Sequence, residues 1–138
     1  MNSLKNKKII ISAGASGIGW ATAKVCLDKG ATVFICDIDE KYLAKTKKHK
    51  LNNKKLFIYK CDAANETDVK ELFNKINKKP KKIDCLINNV GIAGPTGTIE
   101  KLKSKDWENT LKVNVISHFY FTKPVSYTHL TLPTKRIV

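Results

Sequence analysis

Apolar and polar residues follow two alternating periods along this chain. Short apolar runs at 8–12, 32–36, 56–60 and 83–87 have the length and composition of buried strands. The segments between them carry apolar residues three or four positions apart, which is the spacing of one helix face. This alternation predicts an α/β fold, a Rossmann-like doubly wound parallel sheet. Right-handed crossovers would place the strands in the order 3-2-1-4.

The first two helices have recognisable boundary residues. A helix over 17–29 is predicted to end before Gly30, because glycine commonly follows a helix C-terminus. The next helix is predicted to begin after Asp39, a capping residue. The inner face of the first helix is expected to carry Ile18, Ala21, Val25 and Cys26.

Two further helices are predicted in the second half of the chain. Asn65 is placed to cap a helix over 66–77, and Asp68 three residues on gives nearly a capping box. Ser104 is placed to cap a long helix, with Asp106 in its first turn. One face of the long helix is expected to carry Trp107, Leu111, Asn114, Val115 and His118.

A loop of small residues at 12–19, with the sequence Ser-Ala-Gly-Ala-Ser-Gly-Ile-Gly, joins the first strand to the first helix. Small residues let the backbone approach a pyrophosphate, and a helix N-terminus offers free N–H groups and the positive end of its dipole. A glycine cluster is often a plain turn, but the strand-to-helix context favours a dinucleotide site. The predicted cofactor contacts are Ser12, Gly14, Ser16, Gly17, Ile18 and Gly19.

Asp37 ends the second strand at about the 20-residue distance beyond the glycines that is typical of dinucleotide sites. A carboxylate there can accept hydrogen bonds from ribose hydroxyls and would repel a 2′-phosphate, so NAD is favoured over NADP. The alternative role is helix capping, for which Asp39 is better placed. Ile38 is predicted to line the same part of the site.

The net charge of +14 raises the question of a polyanionic partner. The charge comes almost entirely from lysine, since Arg136 is the only arginine. Specific base and phosphate contacts favour arginine, and the lysines are spread beside predicted turns and helix ends. We therefore expect a solvated lysine surface, with no nucleic-acid and no membrane partner.

Cysteine usage and hydropathy bear on metal binding and location. The four cysteines form no C-x-x-C pair and lie in apolar segments, which favours structural thiols in a reducing compartment. No apolar run approaches the roughly 20 residues that span a bilayer, and residues 1–8 lack a signal-peptide core. We expect a cytoplasmic protein of one domain without a metal site.

Four segments in order resemble the signatures of the short-chain dehydrogenase/reductase family. Residues 12–19 are similar to its TGxxxGIG motif, and Asn88-Asn89-Val90-Gly91 is similar to its NNAG motif. The step Cys61-Asp62-Ala63 resembles its adenine-contacting position, and Asn114 resembles its helix asparagine. The resemblance covers residues 5–123.

The chain departs from the family pattern at a few positions. Ala13 replaces the first glycine of the motif, Ser12 replaces its threonine, and Val90 replaces an alanine. Because alanine tolerates a positive φ poorly, we expect the loop to depend on Gly14 instead. Neither Ala13 nor Val90 is expected to abolish cofactor binding.

The resemblance implies roles for the residues that contact the cofactor. Asp62 would hydrogen-bond the adenine amino group, with the backbone of Ala63 beside it. Asn89, Val90 and Gly91 would line the adenosine ribose and the approach to the nicotinamide.

The resemblance also bears on two asparagines outside the adenosine end of the site. Asn88 would either tie neighbouring strands together or contact the cofactor. Asn114 would hold a water of the proton relay, and the alternative is a polar interruption of a helix stripe. His118, one turn later, is expected to be a packing or surface residue.

The implied activity is hydride transfer between NAD and an alcohol or carbonyl substrate, in a homo-oligomeric enzyme. The chemistry of the family needs a serine and a tyrosine followed four positions later by a lysine, whose charge lowers the tyrosine pKa. Here Thr131 stands four positions beyond Tyr127, and Lys135 stands eight beyond. We therefore expect the 138-residue chain to lack dehydrogenase activity.

Two other functions compete with the enzyme. A nucleotide-binding module or pseudoenzyme would bind the cofactor without chemistry, as the missing pair favours. A lysine-rich nucleic-acid binder would need a recognition motif, and none is present in the sequence.

The C-terminal residues 124–138 differ in character from the rest. The string Pro-Val-Ser-Tyr-Thr-His-Leu-Thr-Leu-Pro-Thr resembles a translated sequencing adapter. We expect 1–123 to be a partial NAD-binding domain, truncated after the fourth strand and the following long helix, and 124–138 to be a non-native tail. The uncovered fourth strand would then leave the fragment marginally stable. The source nucleotide sequence tests this.

Overall fold

Four parallel strands form one sheet at the centre of the fold. The computed structural model describes residues 3–50, 53–77 and 82–129, without the side chains of 77 and 127–129. The strands lie in the order β3-β2-β1-β4, so the predicted parallel sheet and its order are confirmed. The strands are β1 (Lys8–Ile11), β2 (Thr32–Asp37), β3 (Leu56–Lys60) and β4 (Cys85–Ile87).

Helices connect the strands and cover both faces of the sheet. The first three are α1 (Gly17–Asp28), α2 (Glu40–Lys50) and α3 (Glu66–Asn77). The predicted long helix consists of α4 (Ser104–Leu111), a π-helical turn (Lys112–Ile116) and α5 (Ser117–His129). A 3₁₀ turn at Ile99–Lys101 precedes it.

Alternate residues of the strands supply two separate cores. Ile10 of β1 pairs with Phe34 of β2 and packs with Phe73 of α3 and Phe121 of α5. Its neighbour Ile11 points to the other face, where it packs with buried residues of α1 and α2. The two central strands, β1 and β2, are therefore buried on both faces, which explains their continuous apolar runs.

The predicted inner face of α1 is right at Cys26, which is buried, and wrong at its other three positions. Ile18 is 79% exposed, and Ala21 and Val25 are also exposed. The other buried residues of the helix are Gly19 and Ala23. Small side chains let the helix axis approach the sheet closely, so packing selected the small residues over the larger apolar ones.

The face predicted for the long helix is wrong at its apolar positions. Trp107, Leu111 and Val115 are exposed, Asn114 and His118 are half-buried, and the buried side chains among the described ones of this helix are Ser117, Phe121 and Val125. Those three are spaced four residues apart within α5. The π-helical turn changes the angular relation between the two halves of the helix, which a single helical period cannot reproduce.

Helix capping follows the sequence in part. The Asn65 Oδ1 accepts the N–H groups of Thr67 and Asp68 at 3.0 and 3.3 Å, so Asn65 caps α3 as predicted. The carboxylate of Asp68 accepts the N–H of Asp62 at 3.2 Å instead of completing a capping box. At α4 the cap position is Lys103, one residue before the predicted Ser104.

Helix α5 continues past the predicted boundary after residue 123. Pro124 lies inside it, and Val125 belongs to the core that contains Phe121. Residues 130–138 of the predicted tail lie outside the described residues. In the described ranges no helix has both the length and the apolarity needed to cross a membrane.

Two phenylalanines of α5 provide a matched test of the core. Phe121 is fully buried against Phe73, and Phe119 is 58% exposed. Phe121→Ala should lower the free energy of unfolding by about 3–5 kcal/mol, or abolish cooperative unfolding. Phe119→Ala should change it by about 0.5 kcal/mol or less. Urea unfolding measures both, and equal losses would contradict the described packing.

Asp84 fastens β4 to the start of β1. Its backbone N–H donates to the carbonyl of Lys8 at 2.9 Å, and its carboxylate accepts the N–H of Lys8 at 3.0 Å. The amine of Lys7 lies 3.4 Å from the same carboxylate. The backbone hydrogen bond from Lys8, and then the Lys7 amine, hold the pKa of Asp84 below its ordinary value.

The Asp84 contact predicts a pH dependence of stability. Because the folded-state pKa is lowered, the stabilisation is present above the unfolded value of about 3.9 and is lost as pH falls through the folded pKa. Asp84→Asn should lower stability at pH 7 by about 1 kcal/mol and flatten this acidic loss. Asp28→Asn removes the same charge from the exposed end of α1 and should leave the acidic loss in place. Urea unfolding between pH 7 and pH 2 measures both variants.

Candidate dinucleotide site

The loop between β1 and α1 turns through the left-handed region at Ala13, whose φ is +49°. The expectation that Gly14 would replace it in this role is wrong, because Gly14 does not have a positive φ. Gly14 is needed for space: a Cβ there would lie 2.8 Å from the side chain of Ile35. A Cβ at Gly19 would likewise lie 2.5 Å from the carbonyl oxygen of Ala13. The loop is therefore both strained and tightly enclosed.

The N-terminus of α1 is open to an anion. Ser16 occupies the cap position with extended backbone, makes no side-chain capping bond, and no acidic residue follows in the first turn. The first turns of α2 and α3 contain Glu40 and Glu66, respectively. The first N–H groups of α1 and its positive dipole end are thus available to an external acceptor.

Hydrogen bonds from the β4 side hold this loop in place. The Asn89 side-chain amide donates to the carbonyl oxygens of Ser12 and Ala13 at 3.2 and 3.0 Å. The Asn89 N–H donates to the Ser12 hydroxyl at 3.0 Å. Both residues are predicted cofactor contacts, but their described bonds fix the loop to the end of β4.

A second set of bonds holds the loop from the β2 side. The N–H of Ala15 donates to Asp37 Oδ2 at 3.1 Å, and the N–H of Gly14 donates to the carbonyl of Cys36 at 2.9 Å. Asp39 caps α2 by accepting the N–H groups of residues 41 and 42 at 2.8 and 3.3 Å. Asp39 therefore caps α2, as the sequence indicated. Asp37 instead bonds the loop and lines the cleft.

A cleft of about 350 Å³ opens at the carboxyl ends of the strands. This volume lies within the range of small-molecule sites, and its position matches the ligand crevice of doubly wound sheets. The predicted cofactor residues that line it are Ser16, Asp37, Ile38, Asp62, Ala63, Val90 and Gly91. The predicted residues outside its lining are Ser12, Gly14, Gly17, Ile18, Gly19 and Asn89.

Sequence reasoning missed about half of the cleft wall. Proximity in sequence was the available signal for the residues that directly adjoin predicted cofactor positions, which are Ala13, Asp39, Cys61, Ala64 and Ile92. Tyr42, Asn109 and Val113 also line the cleft. These three helical residues reach the cleft through tertiary packing, for which the local pattern carries no signal.

The turn after β3 forms the floor of the cleft. Asp62 Oδ1 accepts the N–H of Ala64 at 2.9 Å, and Ala63 between them is buried. Cys61 hydrogen-bonds Cys36 behind this turn, and that contact, together with burial, raises the pKa of Cys36 well above its ordinary value. The Cys36 thiol is therefore a protonated packing group at neutral pH.

Asn114 and His118 hold the loop that follows β4. The Asn114 side chain accepts the N–H of Ile92 at 2.7 Å and donates to the carbonyl of Ile92 at 2.8 Å. His118 Nε2 lies 3.0 Å from the carbonyl of Val90. Asn114 lies in the π-helical turn, and such turns commonly occur at functional sites. Both residues thus position the cleft wall, and His118 is more than the predicted packing or surface residue.

Asn88 connects β4 to α5. Its side-chain amide donates to the Thr122 hydroxyl at 3.2 Å, so this bond joins a strand to a helix and not two neighbouring strands, as the structural alternative had it. Among the described residues its Oδ1 is buried without a hydrogen-bond partner.

Negative charge dominates the lining of the cleft. The carboxylates of Asp37, Asp39 and Asp62 face it, and no lysine or arginine belongs to its described wall. In the part of the chain that the structure describes, no cluster of three metal-binding side chains is present. The three carboxylates and the uncapped N-terminus of α1 suit an organic ligand that has hydroxyl or amino groups at one end and an anion at the helix.

The strain at Ala13 can be tested by two alanine-to-glycine changes. Ala13→Gly relieves the positive φ and should raise the free energy of unfolding by about 0.5–1 kcal/mol. Ala15→Gly, two residues away at a buried position without positive φ, should lower it by about 0.5–1 kcal/mol. Urea unfolding compares them, and a loss of stability in both variants would contradict the strained loop.

The chain is similar in sequence to known proteins. The sequence profile described as "short chain dehydrogenase" matches residues 7–136. A "CLA biosynthesis dehydrogenase/reductase" of Lactiplantibacillus plantarum is 36% identical over 91% of this chain and 44% of its own length. A "3beta-hydroxysteroid dehydrogenase" of Mediterraneibacter gnavus is 34% identical over 87% of this chain and 44% of its own length. The chain thus spans less than half the length of these relatives.

Solved structures share the fold. A 3-ketoacyl-(acyl-carrier-protein) reductase from Brucella melitensis, complexed with NADH, superposes with a TM-score of 0.83 at 25% identity. The superposition covers 91% of this chain and 51% of that one. The Pseudomonas aeruginosa RhlG/NADP active-site complex gives a TM-score of 0.80 at 26% identity, over 89% of this chain and 48% of that one.

Proposed function

Because this chain belongs to the short-chain dehydrogenase family, we propose that it is the cofactor-binding part of an NAD-dependent oxidoreductase. The observation that carries the proposal is the cleft at the carboxyl ends of the strands. The uncapped N-terminus of α1 borders it on one side, and three carboxylates border it on the other. This combination suits a dinucleotide, which has an anionic centre and a hydroxyl-rich end.

Different residues of the cleft would bind different parts of the cofactor. The N–H groups at Gly17 and beyond would bind the pyrophosphate, and Asp37 would accept bonds from the adenosine ribose. Asp62 and Ala63 would hold the adenine, with Ile38 against its side. These assignments follow the family resemblance and the positions of the side chains around the cleft.

The nicotinamide end would be bordered by Val90 and Gly91. When bound, the nicotinamide would accept a hydride in its oxidised form or donate one in its reduced form. Asn114 and His118 would fix this wall through their bonds to Ile92 and Val90. Both polar atoms of the Asn114 side chain already bond Ile92, so a water of the proton relay would have to bond the second lone pair of Oδ1 or the second N–H of Nδ2.

The preference for NAD rests on charge. The structures that share this fold include an NADH complex and an NADP complex, so the residues of this chain must decide. A 2′-phosphate would face Asp37 and Asp39 without a cation in the described wall of the cleft. Like charges at short distance disfavour that ligand, whereas free ribose hydroxyls would donate to the carboxylates.

The whole protein would act on a small alcohol or carbonyl substrate. The chain of 138 residues has no tyrosine followed four positions later by a lysine, so we expect it to bind NAD without turnover. The second candidate function is a nucleotide-binding module without chemistry, and it also rests on the missing tyrosine–lysine pair. A full-length reading frame that contains the pair would favour the enzyme, and NAD-dependent turnover by the 138-residue chain would contradict its predicted inactivity.

Two further expectations concern the whole protein. The free thiols of the chain suit a reducing compartment, so we place the protein in the cytoplasm. The exposed apolar side chains of the long helix favour association with a second copy of the protein. They are Trp107, Leu111, Val115 and Phe119.

Cofactor titrations test the proposed function. We expect the 138-residue chain to bind NAD at least about tenfold more tightly than NADP, a difference of about 1.4 kcal/mol. Ile38→Arg should raise NADP affinity about tenfold by pairing with the 2′-phosphate. Ile99→Arg adds the same charge at an exposed residue of the 3₁₀ turn and should leave both affinities unchanged.

Calorimetry at one ionic strength measures these affinities, because surface charge effects are screened by salt. Absence of binding to either dinucleotide would overturn the proposed function. Equal affinity for NAD and NADP would overturn only the assigned cofactor preference.

A further inference from the structure

We propose that Asp37 is a positioning residue for the loop at residues 12–19, here called the phosphate loop, so that one carboxylate couples the pyrophosphate end of the cleft to its ribose end. This inference rests on the proposed function and adds to it. The ribose role concerns a bond from Asp37 to the ligand, whereas the positioning role concerns bonds from Asp37 to the protein.

Both oxygens of Asp37 are already engaged by the backbone. Oδ2 accepts the N–H of Ala15 at 3.1 Å in a buried hydrogen bond, and Oδ1 accepts the N–H of Asp39 at 3.1 Å. The residue is only 8% exposed. Charge-assisted bonds of this kind are stronger than neutral ones, and burial reduces their screening by water.

The bond to Ala15 acts where the loop needs support. Ala15 lies two residues after the strained Ala13 and directly before Ser16, the cap position of α1. A left-handed alanine persists only where its surroundings enforce that conformation. The carboxylate of Asp37 supplies part of that constraint and fixes the residue from which the anion-binding end of α1 begins.

The neighbouring contact strengthens the same connection. The N–H of Gly14 donates to the carbonyl of Cys36, so two consecutive loop amides bond two consecutive residues at the end of β2. Gly14 itself lies against Ile35, where a Cβ would not fit. The phosphate loop is therefore docked on the last two residues of β2, and Asp37 is the charged one of the two.

A ribose bond is compatible with this role. An ionised carboxylate has about four acceptor positions, and the two backbone bonds occupy one on each oxygen. The remaining positions of Asp37 can accept ribose hydroxyls. A ligand that bonds Asp37 would thus bond the group that also sets the position of Ala15.

Two nucleotides that differ only in the ribose separate the roles. ADP offers hydroxyls to Asp37, and 2′,3′-dideoxy-ADP offers none but keeps the pyrophosphate. The test compares the 138-residue chain with its Asp37→Asn variant, in which the amide nitrogen opposes one of the two N–H donors. Calorimetric titrations are made at a temperature where circular dichroism finds both proteins fully folded.

A positioning role predicts that Asp37→Asn weakens 2′,3′-dideoxy-ADP binding at least about fivefold, and ADP binding further still. The control Glu40→Gln removes a neighbouring exposed charge and should weaken neither ligand more than about twofold. Unchanged affinity for 2′,3′-dideoxy-ADP, with weakened ADP, would reduce Asp37 to a ribose ligand and overturn the inference. If the unsubstituted chain binds neither nucleotide, the proposed function fails first.

A second measurement covers the case in which Asp37→Asn does not fold. The comparison is then repeated in an Ala13→Gly background, which removes the strain at the turn. Amide hydrogen exchange of the unsubstituted chain without ligand should also show the Ala15 N–H protected at least about tenfold, as its buried bond requires. Exchange of this amide at the rate of an unstructured peptide would overturn the inference.

Discussion

The close docking of the loop at residues 12–19 between β2 and β4 is the constraint on which the rest of the candidate site depends. On one side, Asp37 and Cys36 accept hydrogen bonds from the N–H groups of the loop. On the other side, Asn89 donates hydrogen bonds to its carbonyl oxygens. The N–H groups of Gly14 and Ala15 are therefore bonded within the protein, whereas no side chain caps the start of α1. A helix N-terminus of this kind could bind an anion without a charged side chain, because no acidic residue in its first turn neutralises the positive end of the helix dipole.

The same principle governs the opposite wall of the cleft. The segment after β4 has no regular structure, and it takes its shape from the bonds that Asn114 and His118 make to Ile92 and Val90. Asn114 can reach both backbone atoms of Ile92 from the π-helical turn, at the point where the long helix changes its angular register. A break in helical regularity is thus used to shape an irregular loop.

The sequence predicted the strands, their order and most of the helix boundaries, because buried parallel strands have a strong apolar signal and capping residues have a local chemical cause. The sequence did not predict the features that tertiary packing determines. The buried face of α1 uses Gly19 and Ala23, since close approach to the sheet outweighs hydrophobicity. At the site, motif residues such as Asp37 and Asp62 were found, but Tyr42 and Val113 reach the cleft through tertiary contacts that no local spacing encodes.

The glycine-rich loop combines two requirements that differ in how substitutions can accumulate over evolution. A position that needs a positive φ carries a limited energetic penalty of about 1–2 kcal/mol for alanine, as at residue 13. A position that needs space, such as Gly14 or Gly19, meets backbone or branched side-chain atoms that cannot move aside. A lineage with some spare stability can therefore drift at residue 13 while residues 14 and 19 stay fixed, so sequence variation within such a loop distinguishes strained dihedrals from close contacts.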